Sequence, residues 1–413
     1  MNAMIKKLLQ GQAVEWRALG EVAEITRGVT YNKSLEVEKN GYRILRANNI
    51  TVEFSKLNFD DVKQISKEAK VKDTQKLYEN DILISVASGS REHVGKVAFI
   101  HEDIDFYFGG FMAVIRTKKL VNPRYIFHIL KSHYFSQFLE KTFASATINN
   151  LSNSVLKEFQ IPIPPLSVQS QIVQILDTFT ELTAELTAEL SMRRKQYQYY
   201  RDFLLSEHEL AKVGFEWKRL GEVFHLKNGY TPSKSNKEYW ENGTIPWFRM
   251  EDIRENGRIL DYALQQVSES AVKGGKLFPA NSIIMATTAT IGEHALVTVN
   301  CLSNQQLTNF SIKNEFSKLL DIKFAFHYFF IIDEQAKKIA NKSSMPIISL
   351  KELSKLLIPI PPLSVQSEIV AILDTFDTLV SSISEGLPKE IQLRQKQYEY
   401  YRELLLDFHP NQE

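Results

Sequence analysis

The chain has 413 residues, of which 44% are hydrophobic and 24% are charged, and its formal net charge is +1. This length predicts two or three domains with sizeable cores, and the composition is typical of a globular rather than a disordered protein. No apolar run is long enough to predict a membrane span, and the N-terminal apolar patch is too short for a signal peptide. The single cysteine, Cys301, excludes an internal disulfide and favours a cytoplasmic location.

The charged residues are distributed unevenly along the chain. Residues 1–160 and 214–357 have net charges of +5 and +3, whereas residues 161–213 and 358–413 have net charges of −2 and −5. Modest basicity is compatible with contact to phosphates but does not establish it. These segments are also the four parts into which an internal repeat divides the chain.

Three motifs define this repeat. Glu-Trp-Arg-Ala-Leu-Gly-Glu-Val at 15–22 returns in altered form at 216–223, Ile-Pro-Ile-Pro-Pro-Leu-Ser-Val-Gln-Ser at 161–170 returns at 358–367, and Lys-Gln-Tyr-Gln-Tyr-Tyr-Arg at 195–201 returns at 396–402. We therefore predict four segments: a first globular domain at 1–160, a spacer helix at 161–213, a second globular domain at 214–357 and a second spacer helix at 358–413. Two copies are too few for a solenoid and fit a pseudo-twofold protein instead.

The globular blocks are predicted to be mixed α and β structures. Short apolar runs next to turn residues predict strands at 81–85, 94–100, 110–115 and 282–286. Buried helices are predicted at 122–130 and 323–331. Residues 42–50 and 245–253 share an apolar frame but carry different polar residues. One scaffold is therefore predicted to hold two different recognition surfaces.

Each proline-rich segment is predicted to lead into a long helix. Its prolines prevent a helix through the segment, and Ser167 and Ser364 occupy the positions of N-caps. A coiled-coil seam with 4-3-4-3 spacing is formed by Val168, Ile172, Ile175, Phe179 and Leu182. In the second copy, Gly386 and Pro388 predict a break or kink. Two such helices in one chain are expected to pack against each other, antiparallel if the domains alternate.

No motif for catalysis or cofactor binding is found. The sequence has no glycine-rich dinucleotide or phosphate loop, and its nine histidines form no His-x-x-x-His pair for a metal. The Asp/Asn-Pro-Pro-Tyr/Phe tetrapeptide with which an adenine methyltransferase holds a flipped base is also absent. Glu216 and Lys218 have the spacing of a nuclease fragment but belong to a repeated motif. Cys301 is interpreted as a small apolar filler rather than a nucleophile.

The order of the motifs resembles that of a known family. An opening motif, a variable block, the Ile-Pro-Ile-Pro-Pro-Leu segment and a long helix with Lys-Gln-Tyr-x-Tyr-Tyr-Arg occur twice, and the first helix carries a Thr-Ala-Glu-Leu tandem at 183–190. Together with the stretch at 229–247, this order resembles the DNA-specificity subunit of type I restriction-modification enzymes. The resemblance covers nearly the whole chain, although the first block lacks the Thr-Pro and Tyr-Trp features of the second.

The resemblance implies an α+β fold in which two similar mixed α/β target recognition domains are separated by two long antiparallel coiled-coil helices. Each domain would read one half of a split double-stranded DNA site. The helices would set the spacing and dock two methyltransferase subunits, to which restriction subunits would be added. S-adenosylmethionine, ATP and magnesium would belong to those partners, so that this chain would bind no cofactor and catalyse no reaction. No membrane partner is expected.

Candidate contacts follow from the chemistry of base reading, in which Arg suits guanine, Asn and Gln suit adenine, and short hydroxyl side chains act at close range. The predicted DNA contacts of the first block are Arg43, Arg46, Asn48, Asn49, Ser88, Ser90, Arg91 and Lys96. Those of the second block are Arg249, Thr287, Thr288, Thr290, Asn304, Gln305 and Gln306. For each of them, a turn cap, an exposed loop position or a phosphate contact is the alternative.

The predicted contacts with methyltransferase subunits are Gln169, Tyr197, Tyr200, Gln366, Tyr398 and Tyr401. The tyrosines belong to a motif that interleaves basic and aromatic residues, so packing between the helices and contact with nucleic acid are alternatives. Two other protein classes stay open. One is a self-sufficient methyltransferase or nuclease, which the missing motifs disfavour. The other is a coiled-coil scaffold with lectin-like domains that never contacts DNA.

The Thr-Ala-Glu-Leu tandem suggests a ruler. One added unit would lengthen the helix by about 6 Å, nearly two base pairs at roughly 3.4 Å each. Because the spacing of half-sites is geometric, such an insertion is predicted to widen the gap between two half-sites and to leave both half-sites unchanged.

Overall fold

The computed structural model describes residues 2–51, 55–144, 150–340, 346–382 and 385–408. The chain divides into two units, of which unit 1 is Met1–Ala184 with Leu393–Glu413 and unit 2 is Glu185–Gln392. Each unit therefore contains one globular block and parts of both spacer helices. Among the described residues, no helix combines the length and the apolar character that crossing a membrane requires.

Unit 1 alternates short strands and helices before the first spacer helix. Its strands are β1 Glu15–Ala18, β2 Ala23–Arg27, β3 Glu36–Val37, β4 Tyr42–Leu45, β5 Lys63–Ile65, β6 Lys76–Leu77, β7 Ile82–Ser85, β8 Val97–Phe99, β9 Ile104–Phe108, β10 Met112–Thr117 and β11 Gln160–Ile163. Its helices within the block are α1 Ala3–Leu9, α2 Leu19–Val22, α3 Pro123–Leu130, α4 His133–Phe143 and α5 Asn153–Lys157. The spacer helix α6 Leu166–Leu204 begins in unit 1 and ends in unit 2.

The strands of unit 1 form a two-stranded sheet (β1-β11), a four-stranded sheet (β2-β10-β7-β8) and a five-stranded sheet (β3-β5-β4-β9-β6). Successive residues of β7 point to opposite faces of the four-stranded sheet, as the period of a strand requires. Ile82 and Ile84 belong to the core shared with the helices, and Leu83 belongs to a second core shared with Leu45 and Phe108. The four-stranded sheet is therefore covered on both faces.

Unit 2 repeats this plan. Its helices are α7 Glu207–Ala211, α8 Leu220–Val223, α9 Met250–Asn256, α10 Ile322–Ile339, α11 Leu350–Leu353, α12 Leu363–Ser381 and the first part of α13 Gly386–Leu406. Its strands are β12 Glu216–Arg219, β13 Phe224–Asn228, β14 Ile245–Phe248, β15 Ile259–Leu260, β16 Gln266–Val267, β17 Ser282–Ala286, β18 His294–Val297, β19 Leu302–Ser303, β20 Leu307–Ile312 and β21 Leu357–Ile360. The predicted strands and buried helices of both blocks are present.

The sheets of unit 2 have the strand orders β12-β21, β13-β20-β17-β18-β15 and β16-β14-β19. The order β13-β20-β17-β18 corresponds strand by strand to β2-β10-β7-β8 of unit 1. In the two-stranded sheets, Trp16 lies opposite Pro162 and Trp217 lies opposite Pro359, in the same antiparallel register. The opening motif and the proline-rich segment therefore close each globular block, and the predicted α+β fold with two similar domains is confirmed.

The spacer helices differ from the prediction at their first residues. The α6 and α12 helices begin at Leu166 and Leu363, so Ser167 lies inside the first turn and the prediction of serine N-caps is wrong. The carbonyl of Pro165 accepts from the backbone N–H of Val168 at 2.9 Å instead. The predicted interruption of the second helix is confirmed, because α12 ends at Ser381 and α13 begins at Gly386.

Each unit by itself joins the first half of one spacer helix to the last turns of the other. In unit 1, the rings of Phe179 and Tyr401 stack with centroids 5.1 Å apart. In unit 2, the equivalent rings of Phe376 and Tyr200 stack with centroids 5.4 Å apart. This is the pairing that antiparallel helices make. Leu176, outside the predicted seam, is fully buried in unit 1 because α6 also packs against the core of the globular block.

A buried polar network attaches the globular block of unit 1 to its spacer helices. His128 Nε2 lies 2.9 Å from Asp177 Oδ1, and His128 Nδ1 lies 3.2 Å from the hydroxyl of Tyr398. Arg124 also binds Asp177 through two nitrogens, with Nε 3.1 Å from Oδ2. Burial lowers the pKa of His128 to about 4, so the neutral imidazole donates to Asp177 and accepts from Tyr398.

Unit 2 contains the same network with one substitution. His327 Nε2 lies 2.8 Å from Asp374 Oδ1, and the hydroxyl of Tyr197 lies 3.4 Å from His327 Nδ1. Lys323 takes the position of the arginine and donates to Asp374 Oδ2 at 2.6 Å. The histidine and the neighbouring cation come from α3 or α10 of the globular block, and the aspartate and the tyrosine come from the spacer helices. Each network therefore fixes the block on its spacer.

Candidate nucleic-acid interface

In unit 1, loops from the two larger sheets meet at one edge. The backbone N–H of Gly109 donates to the carbonyl of Leu45 at 2.9 Å and connects the end of β9 to the end of β4. The N–H of Val86, directly after β7, donates to the carbonyl of Phe111 at 2.9 Å. These bonds bring together residues 46–49, 86–90 and 109–111, which we call the variable edge of unit 1.

Unit 2 builds the same edge with the same backbone bonds. The N–H of Asn304 donates to the carbonyl of Phe248 at 3.0 Å, and the N–H of Thr287 donates to the carbonyl of Gln306 at 2.9 Å. Residues 249–252, 287–290 and 304–306 therefore form the variable edge of unit 2. Position 111 of the first edge corresponds to position 306 of the second.

One glycine packs closely against the backbone of each variable edge. A Cβ atom on Gly28 would lie 2.2 Å from the carbonyl oxygen of Gly109, and a Cβ atom on Gly229 would lie 2.2 Å from that of Asn304. No side chain fits at either distance, so both positions require glycine. The frame is thus determined by backbone contacts and leaves the neighbouring side chains free to differ.

One arginine occupies the same place in both edges. Arg46 and Arg249 directly precede a helical turn, with φ and ψ of −130° and 178° in the first and −134° and 177° in the second. The Nε atom of each is buried without a hydrogen-bond partner. Arg46 forms an ion pair with Asp61 at 2.8 Å, whereas Arg249 Nε lies 3.7 Å from Glu251 Oε2. Both predicted arginines therefore lie at the edges with unused hydrogen-bonding capacity.

The Asn49 side chain is buried and holds its own loop together. Its Oδ1 accepts from the N–H of Arg46 at 2.9 Å, and its Nδ2 donates to the carbonyls of Asn58 and Asp61. The side chain is buried, so all of its hydrogen bonds hold the loop in place. Asp252 makes the equivalent bond to the N–H of Arg249 at 2.7 Å. These bonds argue against base contact by Asn49.

A cleft of about 770 Å³ opens at the variable edge of unit 1. Three of the predicted DNA contacts line it, namely Arg46, Asn48 and Ser88. The cleft is also lined by Arg27 and Phe111, neither of which was predicted from the sequence. The structure therefore brings together part of the predicted set and adds a cation and an exposed aromatic ring to it.

The other predicted residues of unit 1 lie outside this cleft. Arg43 pairs with Asp105 at 3.1 Å, and its guanidinium lies 4.1 Å from the ring centroid of Phe106. Arg91 reaches the carbonyl of Glu140, and Ser90 lies in the exposed loop before it. Lys96 lines a separate pocket of about 330 Å³, where burial lowers the pKa of its ammonium group.

The predicted residues of unit 2 gather at one edge but differ in exposure. Thr287 is buried, and its hydroxyl lies 3.1 Å from that of Thr308. The buried Asn304 exchanges hydrogen bonds with Gln306, whereas Gln305 is exposed and accepts from the hydroxyl of Thr231. Thr288 and Thr290 are half-buried beside them. This edge is thus rich in amide and hydroxyl groups.

Two features of unit 1 were missed from the sequence. Arg27 donates from Nε to the carbonyl of Gly110 at 2.8 Å, and burial lowers the pKa of its guanidinium. Phe111 is 71% exposed. The signal was present in the pair of glycines at 109–110 before an aromatic residue, because glycines permit a tight turn that presents the next side chain.

The predicted partner contacts divide into buried and accessible residues. Gln169 and Gln366 are fully buried, where their amides donate to the carbonyls of Pro164 and Pro361 and accept from backbone N–H groups. This burial argues against partner contact by either glutamine.

The tyrosines of the repeated motif also differ in exposure. Tyr197 and Tyr398 are only 6% and 7% exposed, because their hydroxyls belong to the histidine networks. Tyr200 and Tyr401 stack on phenylalanines of the facing helix, as described above. In contrast, the neighbouring Tyr199 and Tyr400 are 64% and 63% exposed. Neither of these two was predicted as a contact.

The described residues contain no group of three or more His, Cys, Asp or Glu side chains that could hold a metal ion. Cys301 is buried, and burial raises the pKa of its thiol to about 12. A thiol with this pKa is not a nucleophile near neutral pH. The interpretation of Cys301 as a core residue is therefore supported.

Comparisons with known proteins agree with this architecture. The family model for the type I restriction modification DNA specificity domain matches residues 12–192 and 212–393. The chain is 50% identical over 203 residues to the EcoprrI specificity subunit of Escherichia coli, covering 48% of this chain and 51% of that one. It is 34% identical over 426 residues to the putative specificity subunit S.HindORF215P of Haemophilus influenzae, covering 98% and 99%.

Two solved structures share the fold. A chain from a study of complex assembly and conformational transition of the type I restriction-modification system aligns with a TM-score of 0.59 at 18% identity, covering 96% of this chain and 97% of that one. The type I S subunit from M. genitalium aligns with a TM-score of 0.53 at 17% identity and the same coverage. At these identities the likeness concerns the fold alone.

A duplicated α+β chain with one variable edge in each unit is a recognition protein built from two modules. The chain belongs to the family of type I restriction-modification DNA specificity subunits, and the resemblance read from its motifs is confirmed. Its role is therefore DNA sequence specificity in a type I restriction-modification system.

Proposed function

We propose that each unit reads one half of a bipartite double-stranded DNA site through its variable edge. The observation that carries this proposal is the backbone frame shared by the two units, in which Arg46 and Arg249 occupy one position while the residues around them differ. A guanidinium fork suits the major-groove edge of guanine. Different neighbouring side chains in a common frame are what two readers of different half-sites require.

The spacer helices carry the proposed partner surface. Tyr199 and Tyr400 are exposed, are related by the 201-residue repeat and occupy the same position within the repeated Lys-Gln-Tyr-x-Tyr-Tyr-Arg motif. Two matching aromatic positions fit two copies of one partner, and exposed tyrosines are typical anchors of protein interfaces. We assign this surface to two methyltransferase subunits, with restriction subunits added to that core.

The chain itself is proposed to be non-catalytic. The absence of catalytic motifs from the sequence supports this assignment. S-adenosylmethionine, ATP and magnesium would then belong to the partner subunits, and the complex would act on DNA in the cytoplasm. Incubation of the purified chain with S-adenosylmethionine and DNA should give no methylated adenine, whereas addition of the methyltransferase subunits should give methylation. Methylation by the chain alone would overturn the assignment.

The spacing role is tested by an insertion. Residues 183–190 lie within the continuous helix α6, so one additional Thr-Ala-Glu-Leu unit would lengthen it by about 6 Å. The expected result is a gap between the half-sites that is wider by one or two base pairs, with both half-sites unchanged, when methylated adenines are mapped by sequencing. A matched variant in which the four residues are added to the exposed turn at 118–120 should leave the gap unchanged. An identical gap in both variants would contradict the ruler.

A further inference from the structure

Phe111 is exposed at the variable edge of unit 1. Its ring is 71% exposed, although burial of a phenylalanine side chain is favourable in water. The residue lies between β9 and β10, directly after two glycines, and lines the same cleft as Arg46 and Asn48. Burial of this ring by a bound ligand would be favourable, and the polar groups beside it can read bases.

The backbone that presents this ring is held in place. The carbonyl of Phe111 accepts from the N–H groups of Val86 and Ala87 at 2.9 and 3.2 Å. The preceding carbonyl, that of Gly110, accepts from Arg27 Nε at 2.8 Å. Three hydrogen bonds therefore fix the turn, and the position of the ring is set by the frame of the edge.

The equivalent position in unit 2 indicates what the ring contacts. Gln306 accepts the same backbone hydrogen bond from Thr287 that Phe111 accepts from Val86. Glutamine is suited to the major-groove edge of adenine, and phenylalanine is suited to the C5 methyl group of thymine in the same groove. From equivalent backbone positions, Phe111 would thus contact a thymine in one half-site and Gln306 would contact an adenine in the other.

The surroundings of Phe111 favour DNA over a protein partner. Arg27, Lys33 and Arg46 line the cleft, against the single carboxylate of Glu36. This excess of positive charge suits the phosphate backbone. A stable protein interface buries about 800 Å² on each partner, and one exposed ring among cations offers little apolar surface of that kind.

We propose that Phe111 is a specificity-determining residue that contacts the C5 methyl group of a thymine in the half-site read by unit 1. This inference rests on the proposed function of the variable edge. It assigns to unit 1 an apolar mode of base reading at the position where unit 2 uses an amide.

The test replaces single thymines by deoxyuridine, which removes only the methyl group. Binding of the full chain in complex with its methyltransferase subunits is measured on duplexes that carry one such replacement at a time in the mapped site. Wild-type binding should weaken by roughly five- to tenfold at one thymine of one half-site. The Phe111→Ala variant should bind the thymine duplex with a similar loss and should lose nothing further on the deoxyuridine duplex.

Two further variants sharpen the result. Phe111→Leu keeps an apolar side chain and should retain part of the sensitivity to the methyl group. Leu120→Ala removes another exposed apolar side chain, 57% exposed against 71% for Phe111, that does not line the cleft, and it should bind like the wild type. These variants separate a base contact from a general effect of surface hydrophobicity.

Three results would overturn the inference. Wild-type binding that is indifferent to every deoxyuridine, with a loss in Phe111→Ala, would indicate stacking on bases instead. Wild-type behaviour of Phe111→Ala would indicate no contact. A wild-type complex without any sequence preference would also remove the proposed function, which the first two results leave intact.

Discussion

The two variable edges share a backbone frame but differ in side-chain chemistry. In unit 1 the turn at 109–111 carries two glycines and an exposed phenylalanine, whereas in unit 2 the turn at 304–306 carries one asparagine and two glutamines. The two turns share their backbone hydrogen bonds, whereas their side-chain hydrogen bonds differ. In unit 1, Arg27 Nε donates to the carbonyl of Gly110, and in unit 2, Asn304 Oδ1 accepts from the N–H of Gln306. Because the shared frame consists of backbone bonds, the side chains of the two turns can differ while the frame stays the same.

The arginines are the exception within this comparison. Arg46 and Arg249 have the same backbone conformation, and each has a buried Nε without a hydrogen-bond partner. A buried donor without a partner costs free energy in the isolated protein. A shared arginine in two otherwise different edges points to a guanine contact common to both half-sites, and the differing neighbours would read the bases in which the half-sites differ.

Substitution of the edge arginines Arg46 and Arg249 should weaken DNA binding more than any other change considered below. Arg46→Ala should weaken binding to the intact site by roughly 100-fold, and it should relax the base preference in one half-site only, because a bidentate guanine contact is lost. Arg249→Ala should do the same for the other half-site. Equilibrium binding to duplexes mutated in one half-site at a time measures this. The matched control is Arg43→Ala, which removes a cation outside the cleft, and equal losses in all three would refute the assignment.

The histidine networks offer a second comparison between the units. Asp177→Asn removes a partner of His128 and a two-pronged contact with Arg124, and it should lower the free energy of unfolding by about 2–3 kcal/mol. Asp374→Asn should cost only about 1–2 kcal/mol, because Lys323 is half-exposed and makes one contact. Denaturant unfolding of the full chain measures both. The exposed Asp202→Asn is the control, and an effect of Asp374→Asn larger than that of Asp177→Asn would contradict the comparison.

Acid should destabilise unit 1 through His128. Burial lowers its folded-state pKa to about 4, below the value of 6.5 for a free histidine, so unfolding takes up a proton at intermediate pH. This contribution to stability is complete above pH 6.5 and is lost as the pH falls toward 4. The loss should be about 2 kcal/mol at pH 5.

Asp177 adds a second loss at lower pH. Burial by itself would raise the pKa of Asp177, but hydrogen bonds from His128 and Arg124 lower it to about 2. Its contribution is complete above about pH 4 and is lost as the pH falls toward 2.

Unfolding measured between pH 8 and pH 4 should show the loss of stability due to His128, and His128→Phe should reduce that loss. An unchanged loss in that variant would exclude His128 as its source.

Substitution of the exposed tyrosines of the repeated motif should hardly affect folding but should affect assembly with the methyltransferase subunits. Tyr199→Ala and Tyr400→Ala should leave thermal stability nearly unchanged and weaken binding of methyltransferase subunits by roughly tenfold each. Tyr197→Ala and Tyr398→Ala should instead destabilise the chain by about 3 kcal/mol, because both rings are buried. Titration of labelled methyltransferase subunit and thermal unfolding separate the two effects. Weakened folding in the first pair would contradict the partner surface.

Much of the fold could be predicted from the sequence because the repeat marks corresponding structural positions. The opening motif and the proline-rich segment pair in one register in both units, so identical letters correspond to identical contacts. The five-stranded sheet of unit 1 and the three-stranded sheet of unit 2 were harder to predict from the sequence, since strands such as Glu36–Val37 and Leu302–Ser303 are only two residues long. The start of α6 was misjudged because a proline carbonyl, and not a serine side chain, accepts from the first turn.

The candidate site was only partly predictable, because polarity does not reveal burial. Asn49 and Gln169 are polar residues next to loops, but their amides satisfy buried backbone groups. Phe111 was missed because its counterpart, Gln306, lies 195 residues away, whereas the repeated opening motif is offset by 201. The backbone hydrogen bonds were needed to establish that correspondence. Arg46 and Arg249 were found because the apolar frame around them is the same.

We propose that the two edges, built on one backbone frame, read two separate DNA sequences. The decisive measurement is sequencing of methylated adenines in DNA modified by the complex, with the wild-type chain and with Arg249→Ala. We predict two short specified segments separated by an unspecified gap of constant length for the wild type, and relaxation of one segment alone for the variant. One continuous specified sequence, or relaxation of both segments by Arg249→Ala, would show that the two edges do not read separate half-sites.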